Sequence, residues 1–148
     1  LWWSLYWLGE VKCEVGGVEA ALDAFVKRQA KVDALRFLSA RQAHSVIEAL
    51  KAMLARAGVK WVQSDPATTG DRDQAALDRE AVAQAIWRRL RDRRAVFGIT
   101  CHEYVQRALH LHVNHHLWTV QEQDAVIRLL GKKLRRVAQL PGGNRDEE

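Results

Sequence analysis

Two stretches of this chain, 80 residues apart, carry the same amphipathic pattern behind the same capping pattern. In both, apolar residues recur at three- and four-residue spacing, which is typical of a helix with one buried face. The first set is Val46, Ile47, Leu50 and Leu54, and the second is Val126, Ile127, Leu130 and Leu134. A capping box is predicted ahead of each set, from Ser39 with Gln42 and from Thr119 with Glu122. Gly58 is the predicted stop of the first helix.

The correspondence extends upstream with small gaps. Phe25-Val26 and Arg28 align with Tyr104-Val105 and Arg107, and Leu1-Trp2 and Leu5 align with Ile86-Trp87 and Leu90. Three elements in the same order indicate a duplication. No alternating strand pattern persists. The sequence therefore predicts an all-α fold of two tandem, divergent three-helix units, joined by a linker and a long helix.

Turn signals divide the chain between the two units. We expect a first helical unit at 1–62, a linker at 63–73, a second, basic unit at 74–140, and a disordered tail at 141–148. The second unit is predicted to open with one helix over 74–93, roughly 30 Å long. The sequence starts without Met inside an apolar helical pattern, so we expect further residues before Leu1.

Composition is typical of a globular, cytoplasmic protein. Hydrophobic residues make up 48% of the 148 residues, and there are only two prolines. Cys13 and Cys101 follow no CxxC spacing, which favours free thiols in a reducing compartment. The apolar stretch 1–8 is too short to span a membrane and lacks the basic residues of a secretory signal. We therefore expect no membrane association.

The residues predict neither catalysis nor a cofactor. No GxSxG, HExxH or Gly-rich phosphate loop occurs, and no catalytic residue is assigned. Four histidines lie close together, with Cys101 and His102 nearby: His110, His112, His115 and His116. Their short spacing falls at a helix end and its following loop, so the rings need not converge. The equivalent stretch 30–37 has no histidine. We expect no metal site, although metal binding by this cluster stays open.

Basic residues concentrate in the second unit, where they could contact phosphates. The candidate nucleic-acid-binding residues are Arg88, Arg89, Arg91, Arg93, Arg94, Lys132, Lys133, Arg135 and Arg136. The alternative is structural, because cations in a last turn stabilise the negative end of a helix and an Arg-rich face is often simply solvated.

The first helix is apolar on all sides, which predicts burial on more than one face. Trp3, Tyr6 and Trp7 lie away from its main stripe and are candidate partner-binding residues. The alternatives are that this helix packs between the two units, against residues before Leu1, or against a second chain. Whether the chain forms a homo-oligomer stays open.

Three segments in order resemble the GemA family of Mu-like phages and prophages. They are Leu1-Trp2-Trp3-Ser4-Leu5, the run EAALDAFVKRQ over 19–29 and VIEALK over 46–51. The resemblance covers about the first 57 residues. It implies a phage-encoded regulator in the cytoplasm of the bacterial host that modulates host gene expression and DNA topology, without a catalytic motif.

Two functional hypotheses follow from the resemblance and the residues. The first is a non-enzymatic regulator that contacts a host or phage protein through apolar helical surfaces. The second is a DNA-binding regulator that uses the basic second unit. The basic balance, 23 Lys and Arg against 18 Asp and Glu, permits nucleic acid as a partner without requiring it.

Overall fold

Seven α-helices follow one another along residues 1–139, the part of the chain that this computed structural model describes, and that part contains no strand. They are α1 (Trp2–Leu8), α2 (Val18–Ala30), α3 (Ala40–Arg56), α4 (Pro66–Thr69), α5 (Gln74–Asp92), α6 (Cys101–Leu109) and α7 (Val120–Gln139). Single 3-10 turns occupy Val15–Gly17, Leu35–Phe37 and His115–Leu117. The all-α prediction is confirmed. The tail predicted at 141–148 lies outside the described residues.

Helices α3 and α7 begin at the predicted capping boxes. The Ser39 backbone N–H donates to Gln42 Oε1 at 3.0 Å, while the Gln42 N–H donates to Ser39 Oγ at 3.3 Å. Thr119 and Glu122 make the same reciprocal pair at 2.7 and 3.2 Å. Each box satisfies two of the backbone donors that a helix start leaves free. Beyond the end of α3, Gly58 adopts φ 100°, as its predicted role as a stop requires.

The two halves of the chain repeat the same local arrangements. The Trp2 ring packs on Phe25 with centroids 5.3 Å apart, and the Trp87 ring packs on Tyr104 at 5.4 Å. Helices α2 and α6 both end at a non-glycine residue in the left-handed region, which is Lys31 for α2 and His110 for α6. These matches support the two-unit arrangement, and the duplication itself stays a prediction.

Helix α1 lies in the middle of a single hydrophobic core. It packs mainly on α7 and also contacts α2, α3 and α5. Leu5 and Leu8 are almost fully buried there. Of the three alternatives for this apolar helix, the structure shows packing between the two halves.

Helices α1, α3, α5 and α7 bring their C-terminal ends together. Arg89, near the end of α5, donates to Leu8 O at the end of α1 and to Ala57 O at the end of α3. Arg135, near the end of α7, donates to Tyr6 O. At the opposite end, Arg79 pairs with Asp124 between the starts of α5 and α7. Helices α5 and α7 therefore run in the same direction, and the chain between them returns through α6.

The predicted linker is folded against the helices. One turn of helix, α4, forms within it, and the Gln74 side chain donates to Val62 O and accepts from the Ser64 N–H. Arg72 pairs with Glu80 on α5. The linker therefore differs from a free tether because its polar groups bind the start of α5.

Within residues 1–139, none of the helices has the length and apolar character needed to cross a membrane.

Candidate functional site

An open groove of about 710 Å³ runs beside α1, between α5 and α7. Its floor and walls include apolar side chains from four parts of the chain: Leu1, Trp3, Trp7, Trp61, Val82 and Ile127. Its rim is charged and consists of Asp78, Arg79, Asp124, Arg128 and Lys132. Pockets that bind ligands typically combine such an apolar lining with a few polar groups.

Trp3 is the exposed aromatic residue of this groove. Its ring is stacked on Trp7, with centroids 6.0 Å apart, and meets the edge of Tyr6 at 5.5 Å. Trp3 is 41% exposed, whereas Tyr6 is 2% and Trp7 9% exposed. Tyr6 and Trp7 are therefore core residues, which corrects their prediction as partner-binding surface. The core of the chain covers Tyr6 almost completely and leaves only a small part of Trp7 exposed in the lining of the groove, so Trp3 is the residue of the three best placed to meet a partner.

Three of the predicted nucleic-acid-binding arginines bind carbonyl groups of this chain instead. Arg89 donates to Leu8 O, Ala57 O and the Glu10 carboxylate. Arg88 donates to Gly58 O, just beyond α3. These cations neutralise helix C-termini, whose last carbonyl groups lack partners within the helix.

Arg135 has a similar role at the end of α1. Its guanidinium donates to Tyr6 O at 3.1 Å and Cys13 O at 3.2 Å, and it lies 3.9 Å from the centroid of the Tyr6 ring. Three of the nine cations predicted to contact phosphate thus bind backbone carbonyl groups of this chain.

The other predicted basic residues are more accessible. Arg91, Arg93 and Arg94 are exposed around the end of α5, and Lys132 and Arg136 are exposed on α7. Lys133 lies 5.6 Å from the centroid of the Tyr104 ring. The predicted basic residues of α5 and those of α7 meet at α1, where Arg89 and Arg135 bind neighbouring carbonyl groups.

Two of the histidines converge on a carboxylate that the sequence reasoning missed. His102 Nε2 lies 3.7 Å and His115 Nε2 3.6 Å from Glu80 Oε1, and the two imidazole rings are 4.1 Å apart. His110 lies at the end of α6 and His112 accepts from the Asn114 N–H, so neither belongs to this group. The expectation that the rings need not converge is therefore wrong for His102 and His115.

The Glu80 carboxylate is held in its ionised form. Its pKa is lowered to about 2, chiefly by His102 and then by Arg72, against the opposing effect of burial. Burial also lowers the pKa of His115, which favours its neutral form. Burial raises the pKa of the nearby Cys101 thiol to about 12, with a contribution from Glu80. The thiol therefore stays protonated.

Trp61 and Glu80 are the site residues that the sequence did not single out. Trp61 lies outside the periodic segments, and its indole N–H donates to Lys51 O. Glu80 is one carboxylate among several on a long helix. No local pattern marks either residue, because Trp61 meets the groove residues of α1 and α7, and Glu80 meets His102 and His115, only once the chain is folded.

The fold and these sites define a small all-α protein with an aromatic, charged groove and helix ends bound by arginine. Residues 1–56 of this protein match the family described as bacteriophage Mu GemA protein. The match spans α1 to α3 and confirms the resemblance over that part of the chain. No curated protein and no solved structure matches the chain.

Proposed function

We propose that the protein is a phage- or prophage-encoded, non-enzymatic regulator that modulates host gene expression by contact with another protein in the bacterial cytoplasm. The match of residues 1–56 to the GemA family supports the phage origin. The groove beside α1 supports contact with a protein, because it combines an exposed tryptophan with a charged rim.

Trp3 carries this proposal. A tryptophan at the centre of an apolar surface is among the residues that most often dominate the binding energy of protein interfaces. Its stacking on Trp7 fixes the ring in place, so little conformational freedom is lost on binding. The groove therefore presents a preformed anchor.

The charges of the rim indicate the chemistry of the partner. Arg79 pairs with Asp124, and Asp78 accepts from the Gln74 side chain. Arg128 and Lys132 are exposed and make no ion pair within residues 1–139. A protein segment with apolar side chains flanked by Asp or Glu complements this surface.

The test compares Trp3→Gln with Phe97→Gln, which changes an exposed aromatic residue outside the groove. Each protein is produced in the bacterial host, and bound proteins and host transcripts are quantified. We expect Trp3→Gln to reduce partner recovery about 30-fold, which corresponds to a loss of about 2 kcal/mol of binding free energy. The variant should also abolish the transcript changes. Phe97→Gln should preserve both.

Charge reversal at Arg128 and Lys132 should weaken recovery of the same partner, with a stronger effect at low salt. Thermal unfolding of each variant verifies that the fold is retained. Unchanged host transcripts with a folded Trp3→Gln protein would contradict the proposal.

A DNA-binding regulator is the second candidate, supported by the exposed cations at the ends of α5 and α7. Reversal of charge at Arg91, Arg93, Lys132 and Arg136 leaves the carbonyl-bound arginines intact. We expect duplex DNA to be retarded at low salt by the wild-type protein and not by this variant, with affinity that falls steeply as salt rises. Absence of retardation at low salt removes this candidate.

A further inference from the structure

Glu80, His102 and His115 come from three separate elements and place their ligand atoms together. Glu80 lies on α5, His102 in the first turn of α6, and His115 in the 3-10 turn before α7. One ligand atom from each lies within 4.8 Å of the other two. Convergence from three elements requires the tertiary fold and does not follow from sequence proximity.

The two distances from Glu80 to the imidazoles are close to those between the ligands of one metal ion. Zinc binds imidazole nitrogen and carboxylate oxygen at about 2.0–2.2 Å, so neighbouring ligands of a tetrahedral site lie about 3.4 Å apart. The Glu80 Oε1 atom is 3.6 Å from His115 Nε2 and 3.7 Å from His102 Nε2. These separations exceed a hydrogen bond and are within about 0.3 Å of the tetrahedral value.

An outer partner orients the Glu80 carboxylate towards the two imidazoles. Arg72 pairs with Glu80 Oε2, which leaves Oε1 directed at the two imidazoles. Such an outer partner fixes the orientation of a ligating carboxylate.

A small cavity adjoins the three side chains. Its volume is about 30 Å³, and its lining includes Glu80, His102, His115 and Trp118. A space of roughly 10–15 Å³ holds one water molecule, so the cavity can hold an ion with a water ligand. The Cys101 thiol lies in the same lining but is not part of the ligand group.

We propose that Glu80, His102 and His115 bind one divalent transition-metal ion of the zinc class, with water in the fourth position. The ion would connect α5, α6 and the turn before α7. The bound ion would then stabilise the second half of the chain, independently of the groove beside α1.

The experiment titrates tag-free, full-length protein with Zn²⁺ by calorimetry and with Co²⁺ by absorption, which reports tetrahedral coordination. Glu80→Gln and His115→Gln each remove a ligand. His116→Gln is the matched control, because its ring lies 4.2 Å from that of His115 but outside the ligand group. We expect the wild type and the control to bind one equivalent of metal with equal affinity. Both ligand variants should bind the metal at least about 100-fold more weakly.

Two results would overturn the proposal. One is no binding of Zn²⁺ or Co²⁺ by the wild type, which leaves the three side chains in contact without a metal. The other is equal binding by the wild type and both ligand variants, which places the ion elsewhere. Circular dichroism of the metal-free variants checks the fold. Imidazole NMR signals of His102 and His115 in the wild-type protein, which should shift on adding Zn²⁺, provide a readout independent of any variant.

Discussion

At the scale of single residues, arginine side chains perform a task that their sequence pattern does not reveal. Arg88, Arg89 and Arg135 donate to backbone carbonyl groups at the ends of α1 and α3. The sequence shows only that cations are abundant near the ends of α5 and α7. Which carbonyl groups they meet depends on how four helix ends assemble, and this is a property of the fold.

Replacing Arg89 by alanine tests this structural role. Two helix-end carbonyl groups and the Glu10 carboxylate lose their donor, so we expect the free energy of unfolding to fall by about 2 kcal/mol. Urea denaturation measures the change. Arg91→Ala on the same helix is exposed and should change stability by less than about 0.5 kcal/mol. Equal effects of the two substitutions would contradict the role of Arg89.

Glu80 gives a residue-scale prediction about pH. Its pKa in the folded protein, about 2, lies below its ordinary value of 4.5. Ionised Glu80 therefore stabilises the fold above pH 4.5, and this contribution is lost as pH falls towards 2. We expect metal-free Glu80→Gln to be less stable than the wild type at pH 7, by on the order of 2 kcal/mol.

The difference between Glu80→Gln and the wild type should vanish as pH approaches 2, and chemical denaturation across this range measures it. Glu48→Gln removes a carboxylate that is 54% exposed and pairs only at the surface of α3. This control should follow the wild type at every pH. A difference for Glu80→Gln that persists undiminished at pH 2 would exclude the ion pair as its cause.

At the scale of elements, the sequence predicted the helices and their starts well. The capping boxes at Ser39 and Thr119 are local, since hydroxyl and acceptor lie three residues apart and need no tertiary information. The predicted helix over 74–93 corresponds to α5, Gln74–Asp92. Burial was harder to predict, because Trp7 faces a partner helix that periodicity within α1 does not identify.

Gly131, which has no side chain, allows α7 to approach Trp7 of α1 closely. A methyl group there would lie 2.6 Å from Trp7 Cβ and 2.7 Å from Trp7 Cε3, far inside van der Waals contact. We expect Gly131→Ala to lower the free energy of unfolding by about 1–3 kcal/mol through overpacking. This cost should outweigh the gain of about 1 kcal/mol that alanine brings to a helix.

Thermal and urea unfolding measure the effect of Gly131→Ala. Arg128→Ala serves as the control, since it introduces the same residue at an exposed position of the same helix. It should leave stability within about 0.5 kcal/mol of the wild type. A stabilised Gly131→Ala protein would show that α1 and α7 separate easily.

At the scale of the whole molecule, the two predicted units share one core. Helix α1, from the GemA-like part, packs mainly on α7, and Arg89 of the second half binds carbonyl groups of the first. The sequence predicted two units because the apolar and capping patterns of the two halves match. It could not show that each unit's exposed apolar surface is covered by the other.

We therefore expect residues 1–62 alone to remain largely unfolded, because α1 lacks α5 and α7. Circular dichroism and amide NMR spectra of this fragment measure its structure. Addition of residues 63–148 in equimolar amount should restore the helical signal. The full chain should unfold in one transition by every probe. A cooperatively folded 1–62 fragment would instead establish it as an independent domain.

The pairing of α1 with α7 also bears on synthesis. About 110 residues are synthesised between the end of α1 and the start of α7, which takes roughly 5 to 20 s at bacterial or slower elongation rates. During that interval its tryptophans have no native partner on α7. A nascent chain of this protein is thus a natural client for chaperones that bind exposed aromatic segments, and slower elongation would lengthen its dependence on them.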